Sequence, residues 1–540
     1  MDPQLAKLVA DQMPKFNERV CRGYATYQMK ATLPYMDKII RSASPLFPEG
    51  LIFRGHSIGS PSEHFNLLAQ GKGKDRSIDI SRHDFYLTKF LFEYQGKEID
   101  LPIFVMFFRD GGLFTHRGTT YAVSPALTDI GFSVTHSGIF IRFKRTCCNF
   151  SRETHHVVVD GQLRHCNLYW SAIHHEVNRN ARKRDLLNNR PYIHSTLCHY
   201  FFCKWGFQGA MERFANTQVH VCYKHEVDRK AYPANRYAYV NSSVVAGKGI
   251  PGAEIVVIVP RDKIEDEFVL TMLGSFFYVF DAFVNSFVDL VDINNPRHWL
   301  VLLGRIVKGD WEKVGSLVTG MENHMASTDT QLDEITQASL AERGIQVNDI
   351  YGLFYEIMTT LAPCFLNTAN DEASMYNKRL SVAPFVLHHF NFGVTQLTHA
   401  FQKKMSKTRG EPLSFRTVEQ LLRKYLKKEV CTQNITWHGE INAVSSPGDN
   451  MIHRVTSVLV DQIDAGPSEK RAKKTGFIND PARVLHASIL EVGSINNLPK
   501  TMPDGRIRIS PYVKLGDSGV VERQERFRAL LDRTQEMIGN

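Results

Sequence analysis

Apolar and polar residues alternate in short runs through the first third of the chain. Residues 84–108, DFYLTKFLFEYQGKEIDLPIFVMFF, hold two such runs around Gln95-Gly96, and this pattern predicts a β-hairpin. Further turns are predicted at Gly111-Gly112 and at Arg117-Gly118, because glycine accepts the backbone conformations that tight turns require. This part of the chain is therefore expected to be built mainly of short antiparallel strands.

The next region changes from strands to helices. VVVDGQL (157–163) predicts a second hairpin, and AEIVVIVP (253–260) predicts a buried strand. Residues 264–361 are mostly of helical pattern. Their most apolar stretch, 268–291, contains Asp281, Asn285 and Asp289, while its phenylalanines recur at helical spacing at Phe276, Phe280, Phe283 and Phe287. One apolar stripe predicts a helix packed in a core, not a membrane span.

Two amphipathic helices are predicted in the last third. The first is expected to begin at Tyr376, with an apolar face made of Val386, Phe390, Val394, Leu397 and Phe401. The second is FRTVEQLLRKYLKK (415–428). Together with the strands, these helices predict an α+β, multidomain protein of mixed helices and antiparallel sheets.

Composition sets wide limits on function. The chain has 540 residues, 43% of them hydrophobic and 11% aromatic, which predicts a globular protein of about three domains. Its net charge of +9 favours a polyanionic partner only weakly unless the cations cluster. No signal peptide is recognised at the N-terminus, and a soluble protein is expected. The nine cysteines form no CxxC pair and no metal site is predicted from them, while a site built on the scattered histidines stays open.

The cations cluster in two places. Between Lys403 and Lys428 nine cations stand against two glutamates, and four more lie within residues 470–474. Such clusters are either solvated helix faces or surfaces that follow a phosphate backbone. The candidate basic patch of the first cluster comprises Lys403, Lys404, Lys407, Arg409, Arg423, Lys424, Lys427 and Lys428.

Motifs of self-contained nucleotide chemistry are absent from the sequence. There is no GxxxxGK[ST], GxSxG or HExxH, and no short aspartate-rich cluster that would hold paired magnesium ions. We therefore predict no catalytic residue in this chain. An enzyme that works on nucleic acid by itself is disfavoured on the same grounds.

Two stretches of the sequence resemble the N-terminal half of the β subunit of multisubunit DNA-directed RNA polymerases. IDLPIFVMFFRDGGLFTHRGTTYAVSPAL (99–127) is similar to that family's strand–turn–strand, with matches at Pro102, Met106, Gly112, Phe114, Gly118 and Val123. YNKRLSVAPFVLHHFNFGVTQLTHAFQKK (376–404) resembles its Asn-Arg-Arg segment and following long helix, with matches at Asn377, Lys378, Arg379, Gly393 and Leu397. Thr120 replaces an acidic residue of the family.

Two later stretches continue the resemblance in the family's order. VLVDQIDAGPSEKRAKK (458–474) is similar to the fork region beside the RNA–DNA hybrid, with matches at Asp461, Gln462, Ser468, Glu469, Lys470 and Arg471. Residues 483–521 resemble the next segment, with matches at Arg483, His486, Ser488, Gly505, Pro511 and Tyr512. The family's Glu-Thr-Pro-Glu-Gly is replaced here by residues 491–500.

The resemblance implies a split β subunit of the kind found in giant tailed bacteriophages. It implies a protrusion-like part in residues 1–146, a lobe-like domain in 147–354, a second protrusion-like part in 355–430 and a fork-like region in 431–540. Its hybrid-side or nucleic-acid-side candidates are Asp461, Gln462, Lys470, Arg471, Arg483, His486 and Ser488. Simpler interpretations stay open: Asp461 pairs with Arg471, and His486 is a satisfied core histidine.

The same resemblance implies partners and a cofactor outside this chain. A β′-type partner would hold the catalytic Mg²⁺, and none would be bound by this chain. A β C-terminal-type subunit, further β′-type subunits, a possible promoter-specificity subunit, template DNA and transcript RNA would complete the assembly. The enzyme would act in the infected bacterial cell or be packaged in the virion. The competing hypothesis is a basic phage structural or DNA-binding protein without polymerase activity.

Overall fold

The computed structural model describes most of the chain in separate ranges. The described residues are 15–69, 83–135, 138–143, 147–171, 194–243, 255–283, 290–308, 313–367, 374–382, 387–408, 411–432, 441–443, 455–460, 488–493 and 506–523. They fall into two compact units. The first contains those up to residue 130 and those from 374 onward, and the second contains those between 131 and 367.

The strands of the described residues are numbered in chain order. They are β1 (Ile52–Ile58), β2 (Phe85–Tyr94), β3 (Lys97–Met106), β4 (Leu113–His116), β5 (Thr119–Val123), β6 (Ala126–Asp129), β7 (Phe132–Thr135), β8 (Gly138–Arg142), β9 (Cys147–Val159), β10 (Gln162–Ser171), β11 (His220–Tyr223), β12 (Tyr237–Ser242), β13 (Ile255–Pro260), β14 (Lys378–Ser381), β15 (Ile441–Ala443), β16 (Ser457–Val460), β17 (Arg506–Arg508), β18 (Lys514–Leu515) and β19 (Val521–Glu522).

The helices are numbered in the same way. They are α1 (Glu18–Cys21), α2 (Tyr24–Ala43), α3 (Pro61–Ala69), α4 (Leu197–Ala215), α5 (Glu267–Ala282), α6 (Pro296–Lys308), α7 (Val314–Asp329), α8 (Glu334–Ala341), α9 (Ile350–Glu356), α10 (Ala362–Asn367), α11 (His388–Lys407), α12 (Phe415–Tyr425) and α13 (Ser488–Val492). A π-helical turn, Ile357–Leu361, joins α9 to α10. The mixed α+β, multidomain fold class predicted from the sequence is confirmed.

The first unit contains several small sheets. One has the order β1-β2-β3, a second joins β15, β5 and β4, and a third has four strands in the order β14-β6-β16-β17. In the third sheet β6 and β16 run parallel, whereas the other neighbours are antiparallel. Apolar side chains of α11, such as Phe390 and Phe401, are fully buried and make ring contacts with Phe90 and Phe47. These contacts help to build the core of this unit.

The second unit is an antiparallel sheet covered on one face by helices. Its strand order is β11-β13-β12-β9-β8-β7, and β10 pairs with β9. Helix α4 begins at the cap residue Thr196, whose hydroxyl accepts the N–H of His199, and α5 begins at Asp266, which accepts the N–H of Phe268. Phe207 and Phe276 stack with ring centroids 4.2 Å apart between these two helices. Aromatic packing therefore forms the centre of a single large core.

Several local predictions are confirmed. The hairpin around Gln95-Gly96 is β2 and β3, and both turn residues have positive φ, as a tight two-residue connection requires. Asp160-Gly161 forms the same kind of turn between β9 and β10. The predicted core helix is α5, with Phe276 and Phe280 buried, and no described helix is long and apolar enough to cross a membrane. Phe287 lies outside the described residues.

The predicted start of the first amphipathic helix is wrong. Residues 378–381 form strand β14, and α11 begins only at His388. The backbone of Lys378–Ser381 pairs with β6 instead of continuing a helix, because it completes the four-stranded sheet. The predicted apolar face is correct for Phe390, Val394, Leu397 and Phe401, which are all buried. The connections expected at 434–450 and 462–480 lie largely outside the described residues.

Candidate nucleic-acid interface

The structure describes part of the set of predicted site residues. Ser488 and seven members of the basic patch are described, whereas the remaining candidates lie outside the described residues: Asp461, Gln462, Lys470, Arg471, Arg483, His486 and Arg409. The described part of the candidate site comprises the framework at both ends of the fork-like stretch and the surface formed by α11 and α12.

Ser488 is a buried anchor at the start of α13. Only 2% of its surface is exposed, and its Oγ accepts the backbone N–H of Met375 at 2.8 Å. Three residues later, Glu491 accepts a hydrogen bond from the hydroxyl of Tyr376. Ser488 therefore ties α13 to the segment that leads into β14.

The residues before position 461 are held in the centre of the four-stranded sheet. Leu459 of β16 pairs with Ala126 of β6 on one side and with Arg506 of β17 on the other. Ile509 then forms a bridge to Gly493, directly after α13. Strand β16 precedes residues 461–487 and helix α13 follows them. These two elements are linked through β17, which pairs with β16, and through the bridge between Ile509 and Gly493.

The four stretches of resemblance each supply one strand of this sheet. Strand β6 overlaps the end of the first stretch, β14 lies in the second, β16 overlaps the third and β17 lies in the fourth. Segments that are hundreds of residues apart along the chain are thus joined by backbone hydrogen bonds. Their order along the chain and their meeting in space are independent observations.

The first stretch folds as strand–turn–strand with glycines at its turns. Gly112 has φ +67° and Gly118 has φ +76°, and Phe114 between them is fully buried. The backbone approaches closely at Gly23, where a Cβ would lie 2.5 Å from the nitrogen of Gly112. Glycine is therefore required at these positions by conformation and by space.

Helices α11 and α12 form a pair whose outer faces are cationic. Gly393 lets them approach, because a Cβ there would lie 2.7 Å from the carbonyl oxygen of Tyr425. Helix α12 begins at Ser414, whose hydroxyl accepts the N–H of Thr417, and it buries Val418 and Leu422. We call this surface the basic helix pair, defined by the exposed cations Lys403, Lys404, Lys407, Arg416, Arg423, Lys424 and Lys427.

The cations of α12 lie on one side of the helix. Arg416 is seven and eight residues from Arg423 and Lys424, which corresponds to two turns, or about 11–12 Å along the axis. Only Arg423 has a helical partner, Glu419, at 3.0 Å in an exposed ion pair. Within the described ranges, Lys404, Lys407, Arg416 and Lys427 form no ion pair. The surface can therefore neutralise an external row of phosphates.

Lys428 differs from the rest of the predicted patch. It is half-buried, its carbonyl accepts the N–H of Phe104 at 2.8 Å, and its ammonium lies 3.4 Å from Glu429. Lys428 thus helps to dock the end of this segment on β3. We exclude it from the basic helix pair.

Lys97 is a cation that sequence reasoning missed. It follows the turn between β2 and β3, and its ammonium lies 5.3 Å from the ring centroid of Phe415, the first residue of α12. The same turn is fixed by Tyr94, whose hydroxyl donates to the carbonyl of Leu413 at 2.7 Å. A long-range contact places Lys97 here, and no local pattern around it could have shown this.

Two buried titratable groups of the second unit have pKa values that burial shifts. Burial lowers the pKa of His199 to about 4, and its Nε2 lies 3.0 Å from the carbonyl oxygen of Trp299. Burial likewise raises the pKa of Asp281 to about 6, while a hydrogen bond from Ser242 opposes that rise. Among the described residues no three His, Cys, Asp or Glu side chains come together as a metal site would require.

The fold and surface define a class: a multidomain α+β protein with an exposed cationic helix pair. The chain matches the family described as non-virion RNA polymerase subunit over residues 1–531, which is nearly its whole length of 540 residues. It therefore belongs to this family and is a subunit of a phage RNA polymerase. None of the curated proteins compared with it matches.

Membership in this family bears on the expected partners, activity and location of the chain. Other polymerase subunits are partners of this chain, and its activity is that of a member of an RNA polymerase complex. The family is defined as non-virion, so the infected cell is the supported location. Packaging in the virion, the other predicted location, is not supported.

Proposed function

We propose that this chain is the β-type N-terminal subunit of the phage polymerase and forms one side of its DNA–RNA cleft. The observation that carries the proposal is the sheet β14-β6-β16-β17, since each of its strands comes from one of the four β-like stretches. Membership in a polymerase subunit family supports this proposal over a phage structural protein without polymerase activity.

On this proposal the fork-like region flanks the RNA–DNA hybrid. The sheet and α13 hold the ends of that region, and Lys470, Arg471 and Arg483 supply positive charge near the hybrid or toward a partner chain. Asp461, Gln462, His486 and the anchor Ser488 belong to the same region. Phosphoryl transfer depends on positioning and charge compensation, so such a subunit contributes without reacting itself.

The chemistry is proposed to reside in a partner. A β′-type subunit would hold the catalytic Mg²⁺ through an Asp-x-Asp-x-Asp triad, and the present chain would supply no metal ligand. The basic helix pair would hold duplex DNA by its phosphates.

Purification from infected cells tests the assignment. A tagged chain should recover large polymerase subunits, one with the aspartate triad and one that resembles a β C-terminal half. The assembled enzyme should elongate RNA, and the isolated chain should not. Elongation by the chain alone, or its isolation as a stable lone monomer, would overturn the proposal.

A charge variant tests the fork-like region. Lys470→Ala combined with Arg471→Ala should impair transcription by the assembled enzyme more than it impairs assembly, measured as the amount of chain recovered with its partners. Lys473→Ala with Lys474→Ala is the control, because these two neighbours are not among the matched positions of the resemblance. Unchanged transcription in the first variant would indicate that Lys470 and Arg471 belong to a solvated loop.

A second pair of variants tests the basic helix pair. Arg416→Ala with Lys424→Ala should lower the salt dependence of duplex DNA binding by about 2 in the log–log slope, since each lost phosphate contact removes about 0.9. Lys38→Ala with Arg41→Ala, two exposed cations of α2, is the matched control. Equal slopes for both variants would assign α12 to a solvated face.

A further inference from the structure

A second surface, on the sheet of the second unit, combines aromatic rings with unpaired cations. The register places His220 of β11, Ile258 of β13 and Tyr239 of β12 side by side, on the face opposite the main core. Cys222, Val256 and Ile258 form a small buried cluster on this face, separate from that core. The connection between β11 and β12 packs Val227 and Tyr232 against it.

Tyr232 is the centre of a group of rings. It stacks on His220 with centroids 5.0 Å apart and planes 14° apart, and it meets Tyr237 edge-on at 5.2 Å. The hydroxyl of Tyr239 donates to the carbonyl of Tyr232 and fixes its backbone. His220 is exposed and has no second ring partner among the described residues. A fixed, flat ring is therefore presented to solvent.

Two carboxylates near these rings, Asp228 and Asp160, form hydrogen bonds within the fold. Asp228 accepts the N–H groups of Lys230 and Ala231 at 2.8 and 3.3 Å. Asp160 accepts the N–H of Tyr239 at 2.9 Å and pairs with the guanidinium of Arg261 at 2.8 Å. These two carboxylates therefore close turns and hold strands, and a third, Glu226, lies 3.7 Å from His225.

Three cations of the same connection remain available. Arg229, Lys230 and Arg236 are exposed, and within the described ranges none has an ion-pair partner. The backbone around them is ordered by turns, since the N–H of Arg236 bonds to the carbonyl of Pro233 at 3.0 Å. The connection that carries these three cations also carries Tyr232, the ring that stacks on His220.

We propose that this surface, made of His220, Tyr232, Arg229, Lys230 and Arg236, binds single-stranded nucleic acid. Stacking of unpaired bases on fixed aromatic rings, next to cations that follow the backbone, is the general mode of such binding. A duplex fits less well because the faces of its bases are covered by stacking on neighbouring base pairs. The inference rests on the proposed function for the source of the ligand, because the polymerase opens its DNA and releases a single-stranded transcript.

Binding by the full-length chain tests this inference. Fluorescence anisotropy would be measured with labelled 20-nucleotide single strands of DNA and RNA and with the matching DNA duplex, at several salt concentrations. His220→Ala should weaken single-strand binding about fivefold or more, the loss expected for one stacked base, and leave duplex binding unchanged. His220→Phe keeps a ring and should retain the binding.

A double variant tests the contribution of the cations, and it has a matched control. Arg229→Ala with Lys230→Ala should lower the single-strand salt slope by about 1.4, at about 0.7 per phosphate contact. Arg297→Ala with Lys313→Ala removes one arginine and one lysine that are exposed elsewhere on the same unit, and it should change nothing. The strand that responds, DNA or RNA, identifies the source of the ligand.

Two results would overturn the inference. One is that His220→Ala and the Arg229/Lys230 variant bind single strands as tightly as the control variant does. The other is that these variants lose duplex binding to the same extent as single-strand binding, which would indicate nonspecific electrostatic attraction. The Arg416/Lys424 variant separates the proposals, because it should weaken duplex binding whether or not this surface binds single strands.

Discussion

The ammonium of Lys378 lies 2.6 Å from Oδ1 of Asp129, and the two side chains are only 6% and 8% exposed. This ion pair joins β14 to β6 in the register of the sheet, where the two residues are directly opposite. A buried charge is costly without its partner, because the interior cannot replace its water. The pair therefore makes the association of β14 with β6 sensitive to loss of either residue.

Removing one partner should be strongly destabilising. Lys378→Met leaves a buried carboxylate unpaired and should lower the free energy of unfolding by about 3–5 kcal/mol. Urea unfolding followed by circular dichroism, with amide hydrogen exchange in β6 and β14, measures the loss. Lys378→Met with Asp129→Leu should recover much of it. Arg423→Ala, which breaks the exposed pair with Glu419, should cost about 1 kcal/mol or less.

Gly393 should be required for the basic helix pair. In Gly393→Ala the new Cβ would meet the carbonyl oxygen of Tyr425 at 2.7 Å, so α12 must shift. We expect a loss of about 1–3 kcal/mol and weaker duplex DNA binding. Gly315→Ala in α7 is the control, since a Cβ there meets nothing within 4 Å and alanine favours the helix by about 0.5–1 kcal/mol. Equal thermal midpoints for the two variants would contradict close helix packing.

Ser488→Ala should loosen the anchor of α13. It leaves the buried N–H of Met375 without its acceptor, at a cost of about 1–3 kcal/mol. Faster hydrogen exchange at Met375, measured by mass spectrometry of that peptide, is the specific readout. Ser44→Ala, where an exposed hydroxyl donates to the carbonyl of Arg41, should leave exchange unchanged. Normal protection of Met375 in Ser488→Ala would show that another group satisfies it.

Asp281 should make the second unit less stable as pH rises from about 4 to 6. Its pKa of about 6 lies above the value near 4 of an unfolded aspartate, so the folded state binds more protons in this window. Asp281→Asn should be more stable than the parent at pH 7, by about 1–3 kcal/mol, and equal to it at pH 4. Urea unfolding at both pH values tests this. Asp262→Asn, at an exposed site, should show no such difference.

Much of the secondary structure was predictable because its signals are local. Gln95-Gly96 and Asp160-Gly161 define their hairpins by turn chemistry alone, and Phe390 to Phe401 define the buried face of α11 by spacing. Strand β14 was not predictable in this way. Its four residues form a strand only because β6, about 250 positions earlier, offers them backbone partners.

The candidate site was predictable to a smaller extent. Charge clustering indicated the cations of α11 and α12, but it could not separate Lys428, whose backbone docks on β3, from its exposed neighbours. Lys97 and the surface around His220 were missed for the same reason, since contacts between distant segments create them. The roles of Asp461, Gln462, Lys470, Arg471, Arg483 and His486 stay predictions.

The parallel pairing of β6 with β16 has a consequence for synthesis of the protein. Leu459 cannot meet Ala126 until roughly 330 further residues have left the ribosome, a delay of roughly 20–70 s at bacterial elongation rates. The second unit, whose strands and helices all lie between these partners, can fold during that interval. The first unit must wait with an unpaired edge at β6, so its folding, and the assembly steps that need it, are the stages most exposed to aggregation and to help from chaperones.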